Sequence, residues 1–119
     1  MPTEPSVDVT ANGKCLIVRI SGDMDHQTAP FFRTRLKEEI TRGQRGAVLD
    51  MSAVSYFDSA GLNLLLNAWR QAREAGSVLA LARVPAPVHR ILTITAADKV
   101  LHVYDTVAEA KDKIAAGET

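Results

Sequence analysis

The sequence lacks the features that mark several specialised classes of protein. Its 119 residues include one cysteine, Cys15, which excludes an internal disulfide and any metal cluster built from cysteines. Fourteen acidic and fourteen basic residues leave no net charge, whereas proteins that bind nucleic acids or membrane surfaces usually carry a basic surplus. No apolar run approaches the length of a membrane span, and the N-terminal residues do not form an export signal. We therefore expect a soluble, cytoplasmic protein that does not contact membranes or nucleic acids directly.

The patterns of common catalytic sites are also missing. The glycines are isolated and lack the lysine spacing of a phosphate-binding loop. The GxSxG nucleophile pattern fails because Phe57 stands where its first glycine should be. The spacing of His26, His89 and His102 does not support a catalytic triad with Ser59. We expect no enzymatic activity, no bound metal and no cofactor.

The composition is that of an ordinary globular protein. Apolar residues make up 46% of the chain, which is too high a fraction for a disordered protein. A chain of this length can bury a substantial core. We expect one domain over residues 1–119, with its core at about 6–115.

The apolar pattern alternates between strand-like and helix-like segments. Segments 6–9 and 14–20 flank Asn12-Gly13, a strong signal for a β-hairpin. Further strands are predicted at 46–51, 77–82 and 99–104. Strands that alternate with helices favour parallel pairing, and an opening hairpin makes such a sheet mixed. The sequence therefore predicts an α/β fold with a mixed, mostly parallel sheet, started by a β-hairpin, and about four helices.

Each predicted helix has an apolar stripe and recognisable end signals. Thr28 is a candidate N-cap for the first helix, and Gly43 and Gly76 lie where the first two helices should stop. Thr106 and Glu109 match a capping box for the last helix. The stripes are Ala29, Phe32, Leu36 and Ile40; Leu62, Leu65, Leu66, Trp69 and Ala72; Val88, Ile91, Leu92 and Thr95; and Val107, Ala110 and Ile114.

The stretch YFDSAGL at 56–62 joins a predicted strand to the second helix. Asp58 or Ser59 lies where the helix N-cap belongs, and Gly61 permits the close approach of backbone or a partner. One interpretation is a well-capped turn and nothing more. The other is a phosphorylation site, because the free amides of a first helical turn accommodate a phosphate on Ser59. Both interpretations use the same residues.

A second polar segment follows another predicted strand. Gly22-Asp23-Met24-Asp25 comes directly after the strand at 14–20. Because parallel strands end at the same edge of a sheet, this segment and Asp58-Ser59 are expected to meet there. A phosphate on Ser59 would make that already acidic edge more negative, and so could switch an interface off.

Three segments together resemble the STAS family, specifically the bacterial anti-sigma factor antagonists. RISGDMDHQTAP is similar to the family's strand followed by Gly-Glu-Leu-Asp, and VLDMSAVSYFDSAGLNLLL to its central strand, phosphorylation motif and helix. VPAPVHRILTITAADKVLHVYDTVAEA follows the family's order of a proline-started helix, a strand and a closing helix. The resemblance covers nearly the whole chain and implies the STAS fold.

The resemblance also implies a function. In this family the unphosphorylated antagonist binds an anti-sigma factor that is a serine kinase, which releases a sigma factor. The kinase phosphorylates the motif serine, which is Ser59 here, and a serine phosphatase resets the switch. Asp58 falls on the motif's acid and Asp25 on the last residue of Gly-Glu-Leu-Asp. Supporting roles at the phosphosite and the partner contact are thus expected for Asp58, Gly61, Asp25 and Asp23.

Two positions depart from the family pattern, and one alternative function is open. Ala60 stands where a second hydroxyl residue is common, and Asp23 replaces a glutamate. The 96–98 loop is less apolar than its usual counterpart, which could alter a partner contact. The alternative function is that of a STAS accessory subunit in a transport complex, which need not be phosphorylated.

Overall fold

The computed structural model describes residues 4–40, 42 and 45–117, and it contains one five-stranded sheet. The strands are β1 Ser6–Asn12, β2 Cys15–Met24, β3 Gly46–Phe57, β4 Val78–Ala82 and β5 His102–Tyr104. They lie side by side in chain order. β1 and β2 form the antiparallel hairpin, and every later neighbour pairs in parallel. The predicted mixed, mostly parallel sheet is confirmed.

In the described residues, four α-helices cover the two faces of the sheet. They are α1 Ala29–Ile40, α2 Ser59–Glu74, α3 Ala86–Ile94 and α4 Val107–Ala115. The first three helices pack on one face in the larger apolar core, and α4 packs on the other face against a smaller core that includes Cys15. The α/β class and the number of helices agree with the sequence-based expectation. Among the described residues, none of the helices has the length and apolar character needed to cross a membrane.

β2 and β3 are longer than the sequence predicted. β2 was expected to end at residue 20 and β3 at 51, but they continue to Met24 and Phe57 by pairing with each other. β4 pairs with β3 as far as Asp50, so the last part of β3 extends beyond it. The extension of β3 contains Val54, Tyr56 and Phe57, which favour a strand, so the predicted end at residue 51 was too early. The extension of β2 contains the polar run Ser-Gly-Asp, whose residues do not favour a strand by themselves. Their backbone hydrogen bonds with the neighbouring strand outweigh that local preference.

β5 is shorter than predicted, because its first residues form a tight turn instead. Ala97–Lys99 is a 3₁₀ turn, and it follows Ala96 in the left-handed conformation at φ 60°. The amides of Val100 and Leu101 both bond to the Ala97 carbonyl, at 3.0 and 2.8 Å. The prediction of a strand from residue 99 was therefore wrong at its first three positions.

The apolar stripes are confirmed for some helices and shifted in others. All four stripe residues of α1 are buried, as are Ala110 and Ile114 of α4. In α2 the buried face is centred on Leu64, Leu65 and Ala68. The predicted α2 residues Leu62, Leu66 and Trp69 lie at the margin and pack against the core while partly exposed. In α3, Val88 and Leu92 are buried and Ile91 is partly buried, but Thr95 is exposed, so its inclusion was wrong.

The helix ends follow most of the predicted signals. The Thr106 hydroxyl accepts a bond from the amide of Glu109 at 3.0 Å, which confirms the cap of α4. α2 ends at Glu74, shortly before Gly76. The stop expected at Gly43 lies outside the described residues.

Candidate functional site

The ends of β2 and β3 bring the two polar segments together. Asp23 is in register with Tyr56, and Met24 with Phe57. One residue further along, the amide of Asp58 donates to the Met24 carbonyl at 3.4 Å. The prediction that these segments meet at one edge of the sheet is confirmed.

Asp58 is the N-cap of α2. Its backbone is extended, at φ −136° and ψ −162°, and its Oδ1 accepts from the amide of Ala60 at 2.9 Å. Its carbonyl accepts the first helical bond, from Leu62 at 3.0 Å. Ser59 is therefore the first helical residue rather than the cap, and its side chain is exposed. This arrangement leaves the serine at the surface, at the positive end of the helix dipole.

Gly61 is buried because the start of α2 presses against the strand ends. A Cβ atom at this position would lie 2.8 Å from the ring of Phe57 and 2.9 Å from the carbonyl oxygen of Met24. Both distances are shorter than real side chains tolerate. The close approach that the sequence predicted at Gly61 is thus an internal one, between the helix and the end of the sheet.

Asp25 organises the turn between β2 and α1. Its Oδ1 accepts from the amides of Gln27 and Thr28, at 2.9 and 3.0 Å. The Thr28 hydroxyl donates to the Asp23 carbonyl at 2.8 Å and accepts from the Asp25 amide at 3.0 Å. The Thr28 carbonyl accepts from Phe32, so Thr28 occupies the predicted N-cap position. These bonds hold the acidic turn beside Asp58.

Gly22 allows β2 to change direction before it reaches this turn. Its φ of 100° is a conformation that other residues rarely adopt, and the pairing with β3 shifts between Gly22 and Asp23. An irregularity of this kind re-aims the residues that follow it. Asp23 and Asp25 are both half-buried.

The edge carries three carboxylates, those of Asp23, Asp25 and Asp58. In the described part of the chain, none of the three forms an ion pair. The residues that the structure describes also contain no group of three or more acidic, histidine or cysteine side chains able to hold a metal ion. The site is thus an acidic, hydrogen-bonded strand end beside the exposed side chain of Ser59.

An apolar surface that was not predicted from the sequence lies beside this edge. Tyr56 is 53% exposed although it is aromatic. It borders a groove of about 200 Å³ that also contacts Val54, Phe57, Pro85 and Pro87. The available signal was an aromatic pair directly before the Asp-Ser motif, next to the prolines that start α3.

Comparison with known proteins identifies the family. The protein-family model of the STAS domain matches residues 6–110 of this chain. The chain belongs to the STAS domain family. A curated relative, the anti-sigma F factor antagonist of Paenibacillus polymyxa, is 34% identical over 96 residues, which are 80% of this STAS chain and 82% of the relative.

Solved structures share the fold. An anti-sigma factor antagonist from Mycobacterium paratuberculosis superposes on this STAS domain with a TM-score of 0.84, at 22% identity, over 93% of this chain and 94% of that one. The Bacillus cell fate determinant SpoIIAA in its phosphorylated form gives a TM-score of 0.68 at 17% identity, over 92% and 99%. SLC26A9 contains a similar region, with a TM-score of 0.75 at 16% identity, which covers 87% of this chain and 20% of that protein. At these identities the likeness establishes the fold alone.

Proposed function

We propose that this STAS domain is an anti-sigma factor antagonist whose binding is switched off by phosphorylation of Ser59. The observation that carries the proposal is the exposed Ser59 hydroxyl, which the Asp58 cap places at a helix start beside the carboxylates of Asp23 and Asp25. The names of curated relatives support the general role, since one at 34% identity is an anti-sigma F factor antagonist.

The partner in this proposal is an anti-sigma factor with serine kinase activity. It binds the unmodified domain, and its sigma factor is thereby released for transcription. The kinase then transfers a phosphate to Ser59, the complex separates, and a serine phosphatase restores the binding form. The domain acts in the cytoplasm as a ligand and a substrate, and not as an enzyme. SpoIIAA, which shares the fold of this chain, has a solved structure in a phosphorylated form, so a domain of this fold can carry a phosphate.

The charges at the site give the switch its physical basis. An unmodified serine is small and neutral, and a partner can bury it with one or two hydrogen bonds. A phosphate adds about −1.5 to −2 charges next to three carboxylates that have no cationic partner among the described residues. Burying such a group without cations costs several kcal/mol, which corresponds to a hundredfold or greater loss of affinity. The fold tolerates the phosphate, since a helix N-terminus favours an anion.

The test combines phosphorylation with binding measurements. After incubation with the kinase and ATP, peptide mass spectrometry should locate a single phosphate on Ser59. Ser59→Ala should bind the anti-sigma factor constitutively and resist phosphorylation, and Ser59→Asp should bind about a hundredfold more weakly. Ser55→Ala is the matched control, because Ser55 is also exposed and lies four residues earlier, in β3. A phosphate on another residue, or a Ser59→Ala protein that is still modified and released, would overturn the proposal.

The alternative function, an accessory subunit of a transport complex, has less support. The fold does not distinguish the two functions, since a similar region forms one fifth of SLC26A9. The exposed acceptor serine is needed for a phospho-switch and is not needed for a structural subunit. Capture of a transporter component by the unmodified protein, unaffected by Ser59→Asp, would favour the alternative.

A further inference from the structure

A second cavity lies at the opposite end of the sheet from Ser59. Its volume is about 340 Å³, within the size range of small-ligand sites. It opens where β2 begins, at Cys15, whereas the Ser59 site lies beyond the end of the same strand at Met24. Ten strand residues separate the two ends by roughly 30 Å. The cavity is therefore distinct from the proposed switch.

Three cations line this cavity from three separate segments of the chain. Lys14 and Arg45 are neighbours, because the amide of Arg45 donates to the Lys14 carbonyl at 3.0 Å. Lys111 faces them from α4 and lines the same space. Within the described ranges, none of the three forms an ion pair. Among the described residues that line the cavity, Asp112 is the one acid, so these residues carry a positive excess in a chain whose formal net charge is zero.

The floor of the cavity contains a buried, unpaired thiol. Cys15 is 3% exposed and is not part of a disulfide. Burial raises the pKa of this thiol, and the positive charges of Lys111 and Arg45 act against that rise. The thiol and these two cations thus line the same cavity.

We propose that this cavity binds a phosphate group, either free or as the head of a small phosphomonoester. The two lysines supply compact ammonium groups, and the arginine supplies a planar guanidinium with a fork of N–H donors. Proteins use both kinds of group to bind phosphate. The carbonyl end of α4 and Asp112 oppose an anion, so the three cations must supply the net attraction. This site is independent of the proposed function at Ser59.

The test is an NMR titration of the full chain with inorganic phosphate and, separately, with glycerol 3-phosphate. Sodium chloride at matched ionic strength serves as the blank. Saturable amide shifts should cluster at residues 13–15, 45–46 and 111–115. Tighter binding of glycerol 3-phosphate would identify a phosphomonoester as the ligand, and equal binding would identify free phosphate.

Charge-removing variants decide whether the cavity is responsible. Lys111→Met should weaken phosphate binding about fivefold, the effect of one nearby charge in a solvated site. The control, Lys99→Met, removes the same charge from an exposed residue that does not line the cavity, and it should change little. Cys15 provides a second measurement, because N-ethylmaleimide is a neutral reagent that alkylates thiols. Phosphate should slow this alkylation more in the parent protein than in Lys111→Met. The proposal would be overturned if phosphate caused no amide shifts, if the shifts were spread over the whole surface, or if they were identical in the two variants. The three cations would then be ordinary solvated side chains that do not form a phosphate site.

Discussion

Replacement of Gly61 by alanine tests how closely α2 approaches the end of the sheet. At an exposed position inside a helix, this substitution stabilises a protein by about 1 kcal/mol, because alanine has the higher helix propensity. At Gly61 the new methyl group would meet the Phe57 ring at 2.8 Å and the Met24 carbonyl oxygen at 2.9 Å. The propensity gain and the steric conflict therefore have opposite signs.

The steric conflict should be the larger effect. The Met24 oxygen is backbone and accepts from the Asp58 amide, and Phe57 is buried, so neither obstacle can move away freely. Overpacking of a fixed site costs up to about 3 kcal/mol. After the propensity gain is subtracted, we expect a net destabilisation of about 2 kcal/mol, or a Tm lowered by about 8 °C. Gly61→Val should destabilise further and should also weaken partner binding, because the shift occurs next to Ser59.

Urea unfolding followed by far-UV circular dichroism measures the effect, and the fluorescence of Trp69, the one tryptophan, provides a second probe. Asn63→Ala is the matched control, since Asn63 is an exposed residue of α2 and should gain about 0.5 kcal/mol. A Gly61→Ala protein as stable as the parent, or more stable, would refute the steric argument.

Two further predictions concern the caps. Asp58→Ala removes the 2.9 Å bond to Ala60 and should lower the free energy of unfolding by about 1 kcal/mol in a urea titration, whereas Asp58→Asn keeps an acceptor oxygen and should lose less. Thr106→Ala removes the bond to Glu109 and should cost a similar amount. It should not affect phosphorylation of Ser59, because α4 and α2 pack on opposite faces of the sheet; a matching loss of phosphorylation would contradict the assignment of the phosphosite to the start of α2.

The order of the elements could be predicted from the sequence because it depends on local signals. The Asn12-Gly13 hairpin signal, the apolar period of α1 and the Thr106 cap are each encoded within a few residues, although the turn lies at Gly13-Lys14 and Asn12 is still paired with Cys15. The length of β2 could not be predicted in this way. Its polar end becomes a strand because β3 supplies its hydrogen bonds, and that partnership appears only after the chain has folded.

The site was predictable to a similar extent. The sequence indicated that Asp58 or Ser59 caps α2, and the geometry of the turn was needed to assign the cap to Asp58. Three cations at positions 14, 45 and 111 do not form a sequence motif, because they come from three separate segments that meet only in space. The exposure of Tyr56 could not be predicted from the sequence for a related reason. It depends on β4 ending before β3 does, so that β4 does not pair with β3 at Tyr56.

Asp25 has two possible roles at the site, and a pair of substitutions can separate them. Its Oδ1 holds the β2–α1 turn through the amides of Gln27 and Thr28, and its charge lies at the edge that carries Ser59. Asp25→Asn keeps an oxygen acceptor and removes the charge, whereas Asp25→Ala removes both. If the charge orients the serine or the incoming kinase, Asp25→Asn should slow phosphorylation of Ser59 with little change in stability. Asp25→Ala should also lower the free energy of unfolding by about 1 kcal/mol, since it loses both turn bonds.

The control for this experiment is Asp112→Asn, which removes the same charge from an exposed residue of α4, the helix at the opposite face of the sheet. Initial rates of phosphate incorporation are compared for the three variants under identical kinase and ATP concentrations. A turn that acts through its hydrogen bonds would leave Asp25→Asn as fast as Asp112→Asn and slow the alanine variant alone. Equal rates for all three would remove Asp25 from the site, because neither its charge nor its turn would then reach the serine.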